Sequence, residues 1–232
     1  MPFFKEVFCL GHESEILFKV FGLGVTAEVV TTWVIIALVA LISIIATHKM
    51  KERPGVFQNM VETGVEYLDN FFSGILGRER GRRYLPFLGT LFVFIILSNY
   101  SGLIPGAGVF SAFKAPTSSL SVTAGLGIVT FIALQYYTLR TGVGHFFKRF
   151  VTPVAFMLPL VLLDEIIKPV SLALRLFGNI FGEESVTEQL YELLPIGAPV
   201  LMMALSLLFC AIQAVVFTML TSIYLDEATE LE

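Results

Sequence analysis

Apolar residues recur along this chain in runs long enough to cross a bilayer, separated by short clusters of charge. A spanning helix needs about 20 apolar residues at 1.5 Å each. Residues 29–47 make the first run, and 85–104 the second, which Pro105-Gly-Ala-Gly108 closes because proline and glycine end helices. A third fits 118–139, with Pro116 and Thr117 as its start signal. The last two windows, 151–182 and 193–225, are longer, the second holding a helix at 196–225. As straight helices they would be about 48 and 50 Å long against a hydrocarbon core of about 30 Å. Tilt, kinks at Pro153, Pro159, Pro169, Pro195 and Pro199, or extension into the headgroups would absorb the excess. A strongly tilted pair is expected.

Between the first two spans the period changes. Phe57, Met60, Val61, Val65, Leu68, Phe72 and Ile75 recur at helical spacing, with Gln58, Glu62, Glu66 and Asp69 on the other face. Residues 55–77 therefore read as an amphipathic surface helix. Its acidic polar face suits docking on the protein's own bundle at least as well as lipid. The pattern predicts one all-α integral membrane domain, 1–232, with five transmembrane helices and this surface helix. An N-terminal segment (1–28) lies outside and a short tail (226–232) in the cytoplasm.

Composition agrees: 56% hydrophobic residues, 22 Phe and a mean hydropathy of +0.82 exceed what a soluble domain carries. The net charge of -4 implies no nucleic-acid partner, because the basic residues are segregated by position. Lys49, Lys51, Arg53, Arg78, Arg80, Arg82 and Arg83 follow the first span, and Arg140, Lys148 and Arg149 the third. The positive-inside rule makes that side cytoplasmic, opposite Lys5, Lys19 and Lys114, and puts Glu183, Glu184, Glu188 and Glu192 in an outer loop. Cys9 and Cys210 form no disulfide framework or metal motif, and Cys210 reads as a lipid-side or packing residue. His12, His48 and His145 lie near membrane boundaries and read as solvated. The first residues lack a basic n-region and cleavage site, so no removed leader is expected.

One charge does not fit an apolar span. Arg175 lies inside Pro169-Val-Ser-Leu-Ala-Leu-Arg175-Leu-Phe-Gly-Asn179-Ile-Phe-Gly182. Guanidinium stays protonated in proteins, and placing it at mid-membrane costs roughly 3 kcal/mol on insertion scales. It requires a partner or water. On the same helix Asp164, Lys168, Ser171, Arg175, Asn179 and Glu183 follow one another three or four residues apart, so they share a face. Asp164 and Glu165 fall roughly 15 Å to one side of Arg175, and Glu183 and Glu184 roughly 13 Å to the other. On the last helix Ser206, Gln213 and Thr221 make a sparse polar seam, with Gln213 the best candidate to hydrogen-bond near Arg175. Two aqueous routes separated by a fixed cation would pass protons through carboxylates and block a straight leak. Blander readings stand beside this one. Asp164 and Lys168 suit an i,i+4 salt bridge, Glu183 and Glu184 loop solvation, and Asn179 and Gln213 structural interhelical bonds. Gly178 and Gly182 suit close helix packing. No second deep carboxylate is evident, so a moving carrier would come from another subunit.

Lys168-Pro-Val-Ser-Leu-Ala-Leu-Arg175-Leu-Phe-Gly-Asn179, followed by Gln213-Ala-Val-Val-Phe-Thr-Met-Leu-Thr-Ser-Ile-Tyr224-Leu, resembles the a-subunit family of bacterial and organellar F-type ATP synthases. The likeness extends to Arg53-Pro-Gly-Val-Phe-Gln-Asn, Ser98-Asn-Tyr-Ser-Gly-Leu-Ile-Pro105 and Pro116-Thr-Ser-Ser-Leu. It implies a non-catalytic, proton-translocating stator subunit of the bacterial inner membrane, without cofactor or metal. Its long helix pair would face a ring of c subunits, with peripheral-stalk b subunits as further partners. By position Arg175 is then the essential charge, flanked by Asn179 and Gln213. Glu184 matches the outer-channel acid, and Asp164 and Glu165 match the inner acidic positions. Many bacterial members carry His where this chain has Ser206, so Glu183, Glu184 and water would serve the outer relay. The competing reading is a secondary transporter with an Arg-centred anion site, for which no internal repeat is visible. An intramembrane enzyme would need a nucleophile-base pair or metal cluster, and neither is evident.

Overall fold

A charge-free run of β-branched and leucine residues needs no partner to be helical in lipid, and it forms helix α1 (Ala27–His48). The computed structural model describes residues 16–20, 23–48, 55–103, 115–142, 158–193 and 198–229. Ahead of α1, an antiparallel hairpin pairs β1 (Ile16–Val20) with β2 (Leu23–Thr26), with an irregularity between Ile16 and Phe18. The helix therefore begins inside the stretch expected to be an external segment. Glu28 belongs to its first turn and is buried, where a carboxylate meets the positive end of the helix dipole.

The amphipathic segment forms α2 (Val56–Leu76). Only its C-terminal half docks: Phe72 and Leu76 are buried with Leu68 and Phe71 packed beside them, whereas Val56, Phe57, Met60 and Val65 stay exposed. Gly77, at φ 80, closes α2 and opens α3 (Arg78–Ser101). This left-handed corner suits glycine alone at little cost. The second span thus begins at Arg78 rather than at residue 85. Its charged first turns find partners on neighbouring helices, Arg82 beside Asp69 at 3.5 Å and Arg80 beside Asp226 at 2.7 Å.

A single 3-10 turn (Pro116–Ser118) leads into α4 (Leu120–Thr141). Two long helices finish the fold, α5 (Leu158–Leu193) and α6 (Ala198–Thr229). α5 does not stop at Gly182 but runs through Glu183 and Glu184, so these acids sit on a helix and not in a loop. The glutamates and leucines beyond the glycine are good helix formers, and one glycine does not end a helix. α6 likewise absorbs most of the expected tail, because Asp226 and Glu227 are held by Arg80 and Lys168. The expected beginning of the fourth span at residues 151–157, the Pro105-Gly-Ala-Gly108 closure, Pro153, Pro195, Cys9, His12, His145, Lys5, Lys49, Lys51, Arg53, Lys114, Lys148 and Arg149 lie outside the described residues.

Among the described residues, four helices are long and apolar enough to cross a membrane: α1, α3, α4 and α6 from Leu201. α5 does not qualify by composition, because Asp164, Glu165, Lys168, Arg175, Glu183 and Glu184 interrupt it every few turns. Three core clusters among the described residues hold the bundle, the smallest formed by Ala115, Ile180 and Cys210. Phe72, Leu76, Tyr84, Leu88, Leu134 and Leu225 join α2, α3, α4 and α6 at one end. Leu91, Ile95, Leu172, Leu176, Ala214 and Phe217 join α3, α5 and α6 in the middle. Among the described glycines, helices approach closely at two: at Gly81 a Cβ would stand 2.7 Å from Ser73 Cα on α2, and at Gly127 it would stand 3.0 Å from the Pro169 carbonyl oxygen and 3.1 Å from Ala173 Cβ on α5. Gly178 and Gly182, expected to be packing glycines, face open space. Gly127→Val should force α4 from α5 and cost about 1–3 kcal/mol. A lowered midpoint of thermal unfolding in detergent is the readout, and an unchanged midpoint would contradict the packing.

Candidate proton-path site

α5 buries a strip made by Leu172, Ala173, Leu176 and Ile180, and Asp164, Lys168, Ser171, Arg175 and Asn179 lie to one side of it. That strip fixes the rotation of the helix against α6. It leaves Arg175, Gly178 and Asn179 exposed at the surface of the isolated chain. Among the described residues, no hydrogen bond or ion pair engages the Arg175 guanidinium. One turn further, Asn179 Nδ2 donates to Gln213 Oε1 at 2.6 Å. Gln213 is 3% exposed, and its buried Nε2 has no partner among the described residues. The two amides therefore lock α5 to α6 beside the guanidinium and leave one donor over.

Polar residues gather at both ends of this pair. Towards the start of α5, Glu165 is buried and accepts from Gln135 Nε2 of α4 at 2.8 Å. Lys168 is gripped by Glu227 at 2.9 Å and Asp164 at 3.4 Å, and its ammonium lies 5.2 Å from the centre of the Tyr224 ring. Asp164 itself is exposed. Gln135, Thr138, Glu165, Lys168 and Tyr224 line a cleft of about 10 Å³, room for about one water. Towards the other end, the Ser206 hydroxyl, 2% exposed, hydrogen-bonds Glu183, while Glu184 stays exposed. Cys210 packs with Ala115 and Ile180 beside Glu183. It is a packing residue.

The expected stripe is thus divided in three: the cluster around Lys168, Arg175 with its amide pair, and the Glu183–Ser206 contact. Gln135, Tyr224 and Glu227 were missed by sequence reasoning. Each reaches its partner from another helix, and no local spacing signals that. An apolar cavity of about 460 Å³ between α4 and α5, lined by Leu120, Gly127, Phe131, Ile166 and Leu174, is remote from this chemistry in character. It has nothing to orient a proton.

The family described as ATP synthase A chain matches residues 29–226. The chain belongs to that family. It is also 40% identical over 211 residues to the ATP synthase subunit a of Moorella thermoacetica, a match covering 89% of this chain and 94% of the relative. For an ATP synthase A chain with several apolar helices, a polar site buried among them is a membrane site. The Asn179–Gln213 bond should contribute about 1 kcal/mol of coupling. A double-mutant cycle with Asn179→Leu and Gln213→Leu, read by denaturant unfolding in detergent, measures it, and additive effects would contradict a direct bond.

Proposed function

We propose that this chain is the proton-translocating a subunit of an F-type ATP synthase, a non-catalytic stator in the bacterial inner membrane. In this reading α5 is the fifth crossing helix. Its 36 residues give about 54 Å, so it tilts steeply, and its charges are covered by neighbours and water rather than lipid. The N-terminus is outside and the C-terminus cytoplasmic, following the basic residues. The face carrying Arg175 meets a ring of c subunits, the peripheral-stalk b subunits hold the chain still, and the transported ion is the proton.

The observation that carries this reading is the exposed, permanently charged Arg175 with no partner among the described residues. A guanidinium in that position favours the ionised form of any carboxylic acid brought beside it. A ring carboxylate arriving protonated then releases its proton and pairs with Arg175. The proton leaves through Asp164, Glu165 and Lys168 on one side, while Glu183, Glu184 and Ser206 reload the next carboxylate on the other. Arg175 itself never carries the proton. It repels hydronium and so separates the two routes. Asn179 and Gln213 hold the helix rotation that aims it.

Arg175→Ala should leave the complex assembled and reduce ATP-driven proton pumping in inverted vesicles to background. Coupled pumping retained by this variant would contradict the assignment.

A further inference from the structure

The apolar cavity between α4 and α5 plays no part in the path described above. Its volume is about 460 Å³, and among the described residues its walls come from those two helices alone. Ala124, Gly127 and Phe131 line it on α4, with Ile166, Pro169 and Val170 facing them from α5. Ser121, exposed on the first turn of α4, is the one polar side chain in the lining. The helices touch at the floor, where a Cβ on Gly127 would stand 3.0 Å from the Pro169 carbonyl oxygen. At the rim Ile128, Ile166, Val170 and Leu174 are exposed. The cavity is therefore a slot that opens sideways between the two helices.

Its dimensions are those of a hydrocarbon chain. The α4 lining runs from Leu120 to Phe131, a rise of about 17 Å, against about 15 Å for one leaflet of a core about 30 Å thick. A dry apolar cavity of roughly 150 Å³ accommodates benzene, so a volume about three times larger takes on the order of 18 carbon atoms. A protein helix about 10 Å across would bridge the rim without entering. It would leave the slot empty and forfeit dispersion contacts along the whole lining. The rotation of α5 decides what lies outside. At about 100° per residue, the α5 lining residues centre roughly 170° from Arg175. The slot thus looks away from the Arg175 face, and a ring meeting that face leaves the slot to the bilayer.

We propose that the slot between α4 and α5 binds one acyl chain of a bilayer phospholipid lengthwise, with the glycerol end at Ser121. Lipid tails elsewhere are as apolar as this lining, so exclusion of water does not select the chain, and close dispersion contacts in the slot retain it. A chain held there fills the gap on the flank of α5 opposite Arg175 and braces the helix that carries the charge. That the ring takes the other flank rests on the proposed function, whereas the shape and lining of the slot do not.

The test uses the whole ATP synthase in phosphatidylcholine vesicles doped with a phosphatidylcholine that carries a photoreactive diazirine on its acyl chain. After exchange against excess unlabelled vesicles, illumination should still cross-link Ala124, Ile128, Ile166 and Val170, read by peptide mass spectrometry. Labels on Ile36 and Leu41, exposed on α1, should have washed out. Ala124→Phe, which fills the slot, should lose the retained labels while α1 labels as before when no exchange is made. Slot labels that wash out together with those on α1, or that survive Ala124→Phe, would overturn the proposal. So would Ile128→Cys, in a Cys9→Ser, Cys210→Ala background, if a short bifunctional thiol reagent joined it to a peripheral-stalk subunit, because a protein helix would then cover the slot. Should Ala124→Phe fail to assemble, Ile128→Trp takes its place, and if that fails too the exchange result on the native complex decides alone. Pumping retained by Arg175→Ala would overturn the proton-path reading and leave the slot result standing.

Discussion

A guanidinium that cannot lose its proton, carried on a membrane helix, dictates the rest of this structure. Burying it alone is prohibitive, so the chain either pairs it or leaves it for something else to pair. The fold takes the second course. Leu172, Ala173, Leu176 and Ile180 bind α5 to the bundle, and that rotation turns Arg175 outwards. An exposed arginine on a soluble protein would mean little. Here it lies beside exposed apolar residues of its own helix, Val170 and Leu174, and under the proposed function a carboxylate of another molecule pairs with it.

Such a device needs α5 and α6 held rigidly while their shared face stays free. The ends supply that rigidity. At one, Arg80–Asp226, Lys168–Glu227 and Gln135–Glu165 tie α3, α4, α5 and α6 into one polar knot. At the other, the Asn99 side chain bonds the Cys210 carbonyl, Tyr100 bonds that of Leu207, and Ser206 meets Glu183. Surface ion pairs contribute little singly, but a network held partly out of water contributes more and fixes geometry. The side chains that tie the helices are thus polar ones gathered at the two ends of an otherwise apolar bundle.

Much of this was legible from residue spacing. The apolar runs anticipate α1, α3, α4 and α6, and the three-and-four spacing from Asp164 to Glu183 places the site on α5. What spacing hides is the partner. Glu165 and Asp164 look equivalent in sequence, yet only Glu165 is buried, because Gln135 on α4 comes to meet it. Glu227 reads as tail solvation until Lys168 is found beside it. Glu28 reads as the last external residue until α1 is seen to bury it. Gly178 and Gly182, spaced as for helix packing, meet no helix among the described residues and leave the Arg175 face low and open. The start of α3 and the end of α6 were displaced because charges that would stop a helix in lipid are met here by charges on neighbouring helices.

The central claim is that the Arg175 face is where a moving carboxylate-bearing helix passes. Gly178, three residues on and with open space where a Cβ would stand, is the place to trap it. Gly178→Cys, combined with a cysteine beside the carboxylate of the ring subunit, should form an inter-subunit disulfide under mild oxidant and arrest ATP-driven pumping until a reductant is added. No inter-subunit product, with pumping unaffected by the oxidant, would contradict the account.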